Sequence, residues 1–405
     1  MKIVQINETC GNGSIGRTAL EWAEYLQKNG HEAYVFYSAG KSDWKLSEKI
    51  GTPLDHKCHA FLSRLTGKQG YFSPLATARL LKRLSEIQPD VVHLRCLHGN
   101  FLHLGMLLKF LAKNKIPTVL TLHDCWFMTG KCTYYVSANC EKWQTGCNHC
   151  PLLHVDNVNP TWWLDRTRKC YQDKKRWFAA IPKLAVVGVS QWVTNEAKKS
   201  FFKDRNPIAI YNWIDTEVFC PTQDAEIREK YDIHASFVVL MVTSQVCESK
   251  GYLVLKGLAE CNLPDTQIVL VGKNNLSLPI PQGVRYISHT DDSRQLAALY
   301  SMADVCVNTT RFETFGKVTA EALCCGTPVI VYNNTASPEL VGPGCGYVVE
   351  EKDGLQAVAN AIEEIRRNGK EAYSERCLSF ASEKFSKRQG FSQYLKLYES
   401  MAGDR

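Results

Sequence analysis

The chain has 405 residues, of which 45% are apolar and 22% charged, and carries a formal charge of +7. That length allows two or three domains, each large enough to bury its own core. The mild positive balance suits an anionic ligand or an acidic membrane face and gives no argument for nucleic acid as a partner, and no apolar stretch reaches the ~18 residues of a membrane-spanning helix.

Taken in chain order, short β-branched runs alternate with helix-length amphipathic segments. KIVQI precedes a glycine loop and the helical TALEWAEYLQKNG, which Gly30 ends. EAYVFYS, ARLLKRLSEIQ, DVVHLRC, LGMLLKFLAKN, TVLTLHD, KLAVVGVS and IAIYN follow. The second half repeats the habit with FVVLMVT, QIVLVG, VRYIS, ADVCVNT and TPVIVYN. Apolar runs of this kind between helical segments predict buried parallel strands in βαβ units, enough for two doubly wound sheets. The expected domains are residues 1–218 and 219–385, divided where PTQDAEIREKYDIHAS turns polar, with a helix over 386–405 that returns to the first domain. The N-terminal strand runs straight into NETCGNGS, so no secretory segment is expected. Seventeen cysteines, odd in number and mostly isolated, read as reduced thiols of a cytoplasmic protein.

The chemistry concentrates at the ends of predicted strands, where open α/β sheets bind ligands. After ADVCVN comes TTRFETFG and then a helix predicted over Lys317–Cys325, stopped by Gly326. Gly316 therefore lies at a helix N-terminus, where free N–H groups attract a phosphate. Glu313 and Glu321 lie eight residues apart. On one continuous helix they would diverge by roughly 80°. With Glu313 in the loop, both carboxylates reach one ligand and accept hydrogen bonds from its hydroxyls, as a nucleotide sugar requires. The bland reading is a helix with acidic residues in its first turns.

ETFGKVTAEALCCGTPVI, continued by PELV at 338–341, resembles the E-x7-E signature of family-four glycosyltransferases of the GT-B fold. The resemblance runs over nearly the whole chain and implies two Rossmann-like α/β domains facing a cleft. It implies that Glu313 takes the donor sugar and Glu321 the ribose, with backbone of Phe315 and Gly316 on sugar or phosphate. GNGSIGR resembles the family's glycine-rich loop and places Gly13, Gly16 and Arg17 on the donor side. Gly11, Gly13 and Gly16 also fit a dinucleotide spacing, but no acidic residue ends EAYVFYS as that motif requires. VVHLRCLHGNF and LTLHDCWFMTGKC resemble two more family segments. They imply His123 on the donor sugar and His98 and Asp124 on the acceptor side. TSQVCESKGYLVL matches the loop in which the family places an arginine and a lysine on the diphosphate. Lys250 fits the lysine, whereas Ser244 or Gln245 stands at the arginine, so Lys250 becomes the main cation, helped by Arg17, Arg311 or Lys317. Trp213 in IYNWIDTEVF replaces the usual glycine. No Ser-His-Asp set is apparent, and Ser190 is no nucleophile.

KCTYYVSANCEKWQTGCNHCP places Cys132, Cys140, Cys147 and Cys150 in a C-x7-C-x6-C-x2-C pattern within a loop over 131–151. Such a long loop without apolar period needs a staple: a tetrahedral structural zinc, two local disulfides or plain thiol packing. This loop resembles one found in a capsule and exopolysaccharide subgroup of the same family.

The reading is a retaining glycosyltransferase with catalytic His123, Glu313 and Lys250, with no cofactor for catalysis and a structural zinc only as one of the staples open to the cysteine loop. Its donor is a nucleoside diphosphate sugar, and its acceptor is a lipid-linked or oligosaccharide hydroxyl in surface polysaccharide assembly. CHAFLSRLTGKQGYF and LLKRL read either as a basic, apolar surface for a peripheral contact on the inner face of the membrane or as solvated helix faces. Other enzymes of the same fold, an epimerase or a phosphorylase, form the alternative.

Overall fold

The computed structural model describes residues 1–11, 13–155, 160–223, 225–261, 263–290 and 292–403. Asn12 of the glycine-rich loop lies outside them.

Seven strands form the first sheet: β1 (Lys2–Ile6), β2 (Glu32–Tyr37), β3 (Ser47–Lys49), β4 (Val91–Leu94), β5 (Thr118–Leu122), β6 (Leu184–Gly188) and β7 (Ile208–Ala209). They run in the order β3-β2-β1-β4-β5-β6-β7, every pair parallel. Every residue of β4 and β5 is buried, as expected of strands covered by helices on both faces. The second sheet holds β8 (Phe237–Gln245), β9 (Thr266–Lys273), β10 (Arg285–Ile287), β11 (Val305–Asn308), β12 (Val329–Tyr332) and β13 (Gly346–Val349). Its order is β10-β9-β8-β11-β12-β13, again all parallel. Edge strands β3 and β13 were not expected: SEK has no apolar run, and GYVV follows a Gly-Pro-Gly that reads as a loop.

The chain separates into two compact units, 1–210 with 391–405, and 211–390. The division falls eight residues before the expected boundary because the segment after β7 packs within the second unit. Ile214 N donates to Phe385 O at 2.8 Å, and Lys387 pairs with Asp215 at 2.6 Å. Trp213 is buried there, and a Cβ at Gly390 would stand 2.9 Å from its ring. A glycine opposite thus accommodates the bulky residue. The last helix, Lys387–Ala402, contributes its residues from Phe391 onward to the first unit. There Tyr398 Oη accepts from Trp22 Nε1 at 2.9 Å and lies 2.5 Å from His93 Nδ1, while Tyr394 meets Thr121 at 2.8 Å. These bonds satisfy polar groups at the centre of an otherwise apolar core, where an unmade partner costs ~1–3 kcal/mol.

Candidate active site

Each sheet has one point where neighbouring strands send their connections in opposite directions: β1/β4 in the first unit and β8/β11 in the second. A crevice opens at the carboxyl ends of such a pair, and ligands bind there. The predicted site residues collect at these two places.

In the first unit, the turn after β1 carries Glu8, the loop after β4 carries Cys96 and His98, and His123 and Asp124 follow directly on β5. His98 Nε2 lies 2.8 Å from Asp124 Oδ2 and 3.0 Å from Cys96 Sγ, and its Nδ1 is 3.8 Å from Glu8 Oε2. Burial opposes a charge on His98, but Cys96 and Asp124 outweigh it and raise the imidazole well above its ordinary value. Burial likewise opposes charge on Asp124, and His98 with the Trp126 N–H holds it below the usual carboxylate range. Both directions favour an imidazolium facing a carboxylate. Glu8, Cys96 and His98 are the one group of three metal-type donors within 4.8 Å of one another among the described residues. The imidazolium already supplies the positive charge between those carboxylates.

His123 behaves oppositely. Burial, then the charge of Arg95, pulls it down to about 3, so it is a neutral imidazole. The loop behind it is clamped by Lys174, whose Nζ donates to Trp126 O at 2.6 Å and Thr129 O at 3.1 Å and lies 3.6 Å from the Trp126 ring centre. Burial lowers Lys174 to about 8. No local pattern signals this role, since Lys174 sits in a KKR run that reads as a solvated helix face.

Of the glycine-rich loop, only Gly11 belongs to the turn among the described residues; Gly13 already begins the helix Gly13–Lys28. A Cβ at Gly13 would meet nothing within 4 Å, so its backbone is open to a ligand. Gly16 sits deeper than Gly13. It is buried, and a Cβ there would stand 2.8 Å from Thr9 Oγ1. Gly16 is small to let the helix approach the turn. Arg17 is an exposed helix residue one turn in.

In the second unit, Lys250 ends a single helical turn after β8, and Gly251 takes φ +88° to leave it. Lys250 Nζ reaches Glu313 Oε1 at 2.9 Å. Arg311 N donates to Ser249 O at 2.9 Å, which ties the two loops together. The Glu313 backbone is fixed on its other side by Thr335 Oγ1 at 2.9 Å and by the Ala336 N–H at 3.2 Å. Gly316 follows with φ +93°, and a Cβ would stand 2.8 Å from Leu340 Cδ1. Both backbone and space demand glycine there. The helix Lys317–Cys324 starts at once, with no side chain capping its N-terminus. Its first N–H groups are thus left for an anion. Glu321 is buried on this helix, accepts from Tyr300 Oη at 3.2 Å and lies 3.9 Å from Lys317 Nζ. Tyr300 was not foreseen; burial, then Glu321, raises its phenol far above the ordinary value, so it stays a donor. Phe315 is buried and offers a ligand only its backbone. Where an arginine was expected, Gln245 folds back onto Val246 O at 3.3 Å. Arg311 is paired with Glu351 at 2.6 Å. Lys250 is accordingly the cation at the centre of this crevice.

Cys132, Cys140, Cys147 and Cys150 all line one cavity of about 20 Å³, together with Lys131, Tyr135 and Trp143. Gly130 N donates to Cys147 Sγ at 3.1 Å. The sulfurs carry no disulfide, and no three of them come within 4.8 Å of one another. A cavity of about 910 Å³ lies at the amino end of the first sheet beside Lys2, Glu32 and Asp90. That is the edge away from the loops that carry the site residues. No helix among the described residues is long and apolar enough to cross a membrane.

The model of the family described as Glycosyltransferase Family 4 matches residues 15–218, and that described as Glycosyl transferases group 1 matches 237–368. A putative colanic acid biosynthesis glycosyl transferase, WcaC of Escherichia coli K12, is 25% identical over 99% of this chain and 100% of its own length. Among solved structures, a glycosyltransferase from Rickettsia africae superposes with a TM-score of 0.71 at 16% identity, covering 99% of this chain and 98% of that one. HepE of Anabaena, solved in complex with UDP, gives 0.66 at 18% identity over 99% and 100% of the two chains. These likenesses show the GT-B fold.

Proposed function

This chain belongs to glycosyltransferase family 4 and is a glycosyltransferase, and from that premise we propose that it moves a sugar from a nucleoside diphosphate donor to a lipid-linked saccharide in surface polysaccharide assembly, with retention at the anomeric carbon. The observation that carries the donor assignment is the Lys250–Glu313 pair beside the uncapped helix Lys317–Cys324. The UDP held by the Anabaena neighbour supports a nucleotide donor. The role of the Escherichia coli relative supports a polysaccharide acceptor.

When the bond from the anomeric carbon to the diphosphate oxygen breaks, negative charge grows on the diphosphate and positive charge on the sugar. Lys250 and the helix N-terminus stabilise the former; such preorganised groups contribute ~10²–10³ in rate each. Glu313 accepts hydrogen bonds from sugar hydroxyls, and Glu321 from the ribose. The resemblance assigns His123 to the donor sugar, and its neutrality fits that place, since an imidazolium would oppose the oxocarbenium charge. The acceptor hydroxyl attacks from the face the diphosphate leaves, and its proton passes to the departing phosphate oxygen. The His98–Asp124 ion pair serves the acceptor side. Protein cations carry the charge stabilisation, so the route needs no divalent metal.

For the cysteine loop the proposal is one structural zinc ion. A cavity of ~20 Å³ holds about one water-sized occupant, the donor set is all sulfur, and the N–H groups of Gly130 and Leu152 point at Cys147 and Cys150 as they would at thiolates. Without metal, burial holds Cys147 as a thiol, raised to about 11. Ligation requires the four side chains to turn inward from where they stand. Metal analysis of chelator-free protein should find about one zinc per chain; a value near zero removes the proposal.

The activity is tested by incubating the protein with a panel of UDP- and GDP-sugars and a saccharide acceptor. Release of nucleoside diphosphate together with an α-linked product from an α-linked donor is expected. Isomerised donor without transfer, or phosphate-dependent cleavage, identifies one of the other enzymes built on this fold.

A further inference from the structure

We infer that Glu8, Cys96 and His98 form a binding site for one divalent ion of the zinc class, separate from the cysteine loop. The three residues come from the turns after β1 and β4, and their donor atoms lie within 4.8 Å of one another. His98 Nδ1 is buried and makes no hydrogen bond among the described residues. Glu8 Oε2 faces it from 3.8 Å away. Ligand atoms around a tetrahedral zinc stand roughly 3–4 Å apart, so an ion fits between this pair with little movement. The other ring nitrogen lies 2.8 Å from Asp124 Oδ2. A carboxylate behind a histidine fixes the ring for ligation through the opposite nitrogen.

The surroundings hold the donors in place. A Cβ at Gly99 would overlap the Glu8 carboxyl group, so any side chain there would push Glu8 away from His98. Glu8 O accepts from Ser38 N at 3.0 Å and from Ala39 N at 2.8 Å, and Cys96 N donates to Asn7 Oδ1 at 3.1 Å. A thiolate, an imidazole and a carboxylate select a borderline ion such as zinc, whereas magnesium and calcium take oxygen ligands. Three protein donors leave the fourth position of a tetrahedral ion open. Cys96 is buried, while the side chains of His98 and Glu8 are 11% and 33% exposed, so that position opens on the Glu8 side. With three donors the site holds its ion less firmly than a closed four-sulfur site, and it fills from added metal rather than carrying its ion through purification. Binding displaces the Nδ1 proton of His98 and the thiol proton of Cys96, and both pass to solvent. The ion thus takes the place of a proton, and transfer does not require it. Its effect rests on the acceptor-side reading of His98: an ion bound there occupies the place of the incoming hydroxyl and slows transfer. Cys96 and His98 are two residues apart, but Glu8 lies in another turn, and no local spacing joins it to them.

Cobalt(II), which reports a thiolate ligand by a charge-transfer band in the near ultraviolet, tests the site when titrated into the full chain as purified. The wild type should bind about one cobalt more than Cys96→Ala, and the difference spectrum of the two should carry the band. Glu8→Gln removes a ligand and should weaken that ion by about tenfold or more. Asp124→Asn, which changes only the support of the ring, should weaken it by ~10–100-fold. Cys58→Ala with Cys261→Ala, which removes the two exposed thiols, should bind as wild type. Unchanged melting temperatures without added metal show that the variants fold. A Cys96→Ala protein with the wild-type spectrum and stoichiometry, or a Glu8→Gln protein with wild-type affinity, would overturn the site. Added zinc should slow transfer when the saccharide acceptor is scarce and lose its effect when the acceptor is abundant, and Cys96→Ala should lose this response. An ion that binds as described while transfer proceeds unchanged would count against the acceptor-side reading of His98 alone.

Discussion

The two switch points have the same topology and opposite chemistry. At β8/β11 a lysine and a glutamate from the two facing loops meet at 2.9 Å beside an uncapped helix start, in a half-exposed crevice. At β1/β4 the charges are more deeply buried, and a cationic and a neutral histidine stand close together, one held by Asp124 and the other by burial. On the proposed reading one crevice receives an anion, whereas in the other burial and neighbouring charges push two histidines in opposite directions. A doubly wound sheet therefore dictates where a site forms, and the residues at the strand ends dictate what that site can stabilise.

The sharpest way to break this contrast is to remove the charges of the second unit. Lys250→Met and Glu313→Gln should each lower turnover by ~10²–10³ with little change in folding, because both side chains are part-exposed and, among the described residues, are ion-paired with each other. Steady-state release of nucleoside diphosphate measures this. Near-wild-type rates would show that the pair is a mere surface bridge. Next, Glu321→Ala should weaken nucleoside diphosphate binding by ~10-fold or more, from the loss of a charged hydrogen bond to ribose, and calorimetric titration reads it directly.

Smaller effects sharpen the picture of the first unit. Lys174→Ala leaves the Trp126 and Thr129 carbonyls without their donor and should cost ~2–4 kcal/mol in denaturant unfolding. Turnover should fall with it, since the loop behind His123 loosens. The pH response should be gentler still. His59 and His123 are held neutral by burial, at about 3 against an ordinary ~6.5. The unfolded chain binds protons that the native chain does not, so their contribution is complete above ~6.5 and declines as pH falls toward 3. Melting temperatures between pH 7 and 4 should drop, and His59→Gln should flatten the slope.

Much of this was legible in the sequence. Apolar runs located the long strands, because a strand buried on both faces must be apolar throughout. The glycine and glutamate spacing located the second crevice, because a helix start at a strand end needs few residues to specify it. The short edge strands were hidden, since three residues of SEK carry no period. Glu8, Cys96 and Tyr300 join the site through the strand order, which brings residues far apart in the chain to one edge. Lys174 stayed hidden because a buried lysine and a solvated one are written alike. Gly16 was legible as small but not as a packing contact.

The central claim is that the diphosphate of the donor sits against the start of the helix Lys317–Cys324 with Lys250 beside it. A crystal structure of the protein soaked with UDP or GDP tests it most directly. The account predicts phosphate oxygens within hydrogen-bond distance of the first N–H groups of that helix and of Lys250 Nζ, with Glu321 on the ribose hydroxyls. A nucleotide bound at β1/β4, or in the cavity at the amino end of the first sheet, would contradict it.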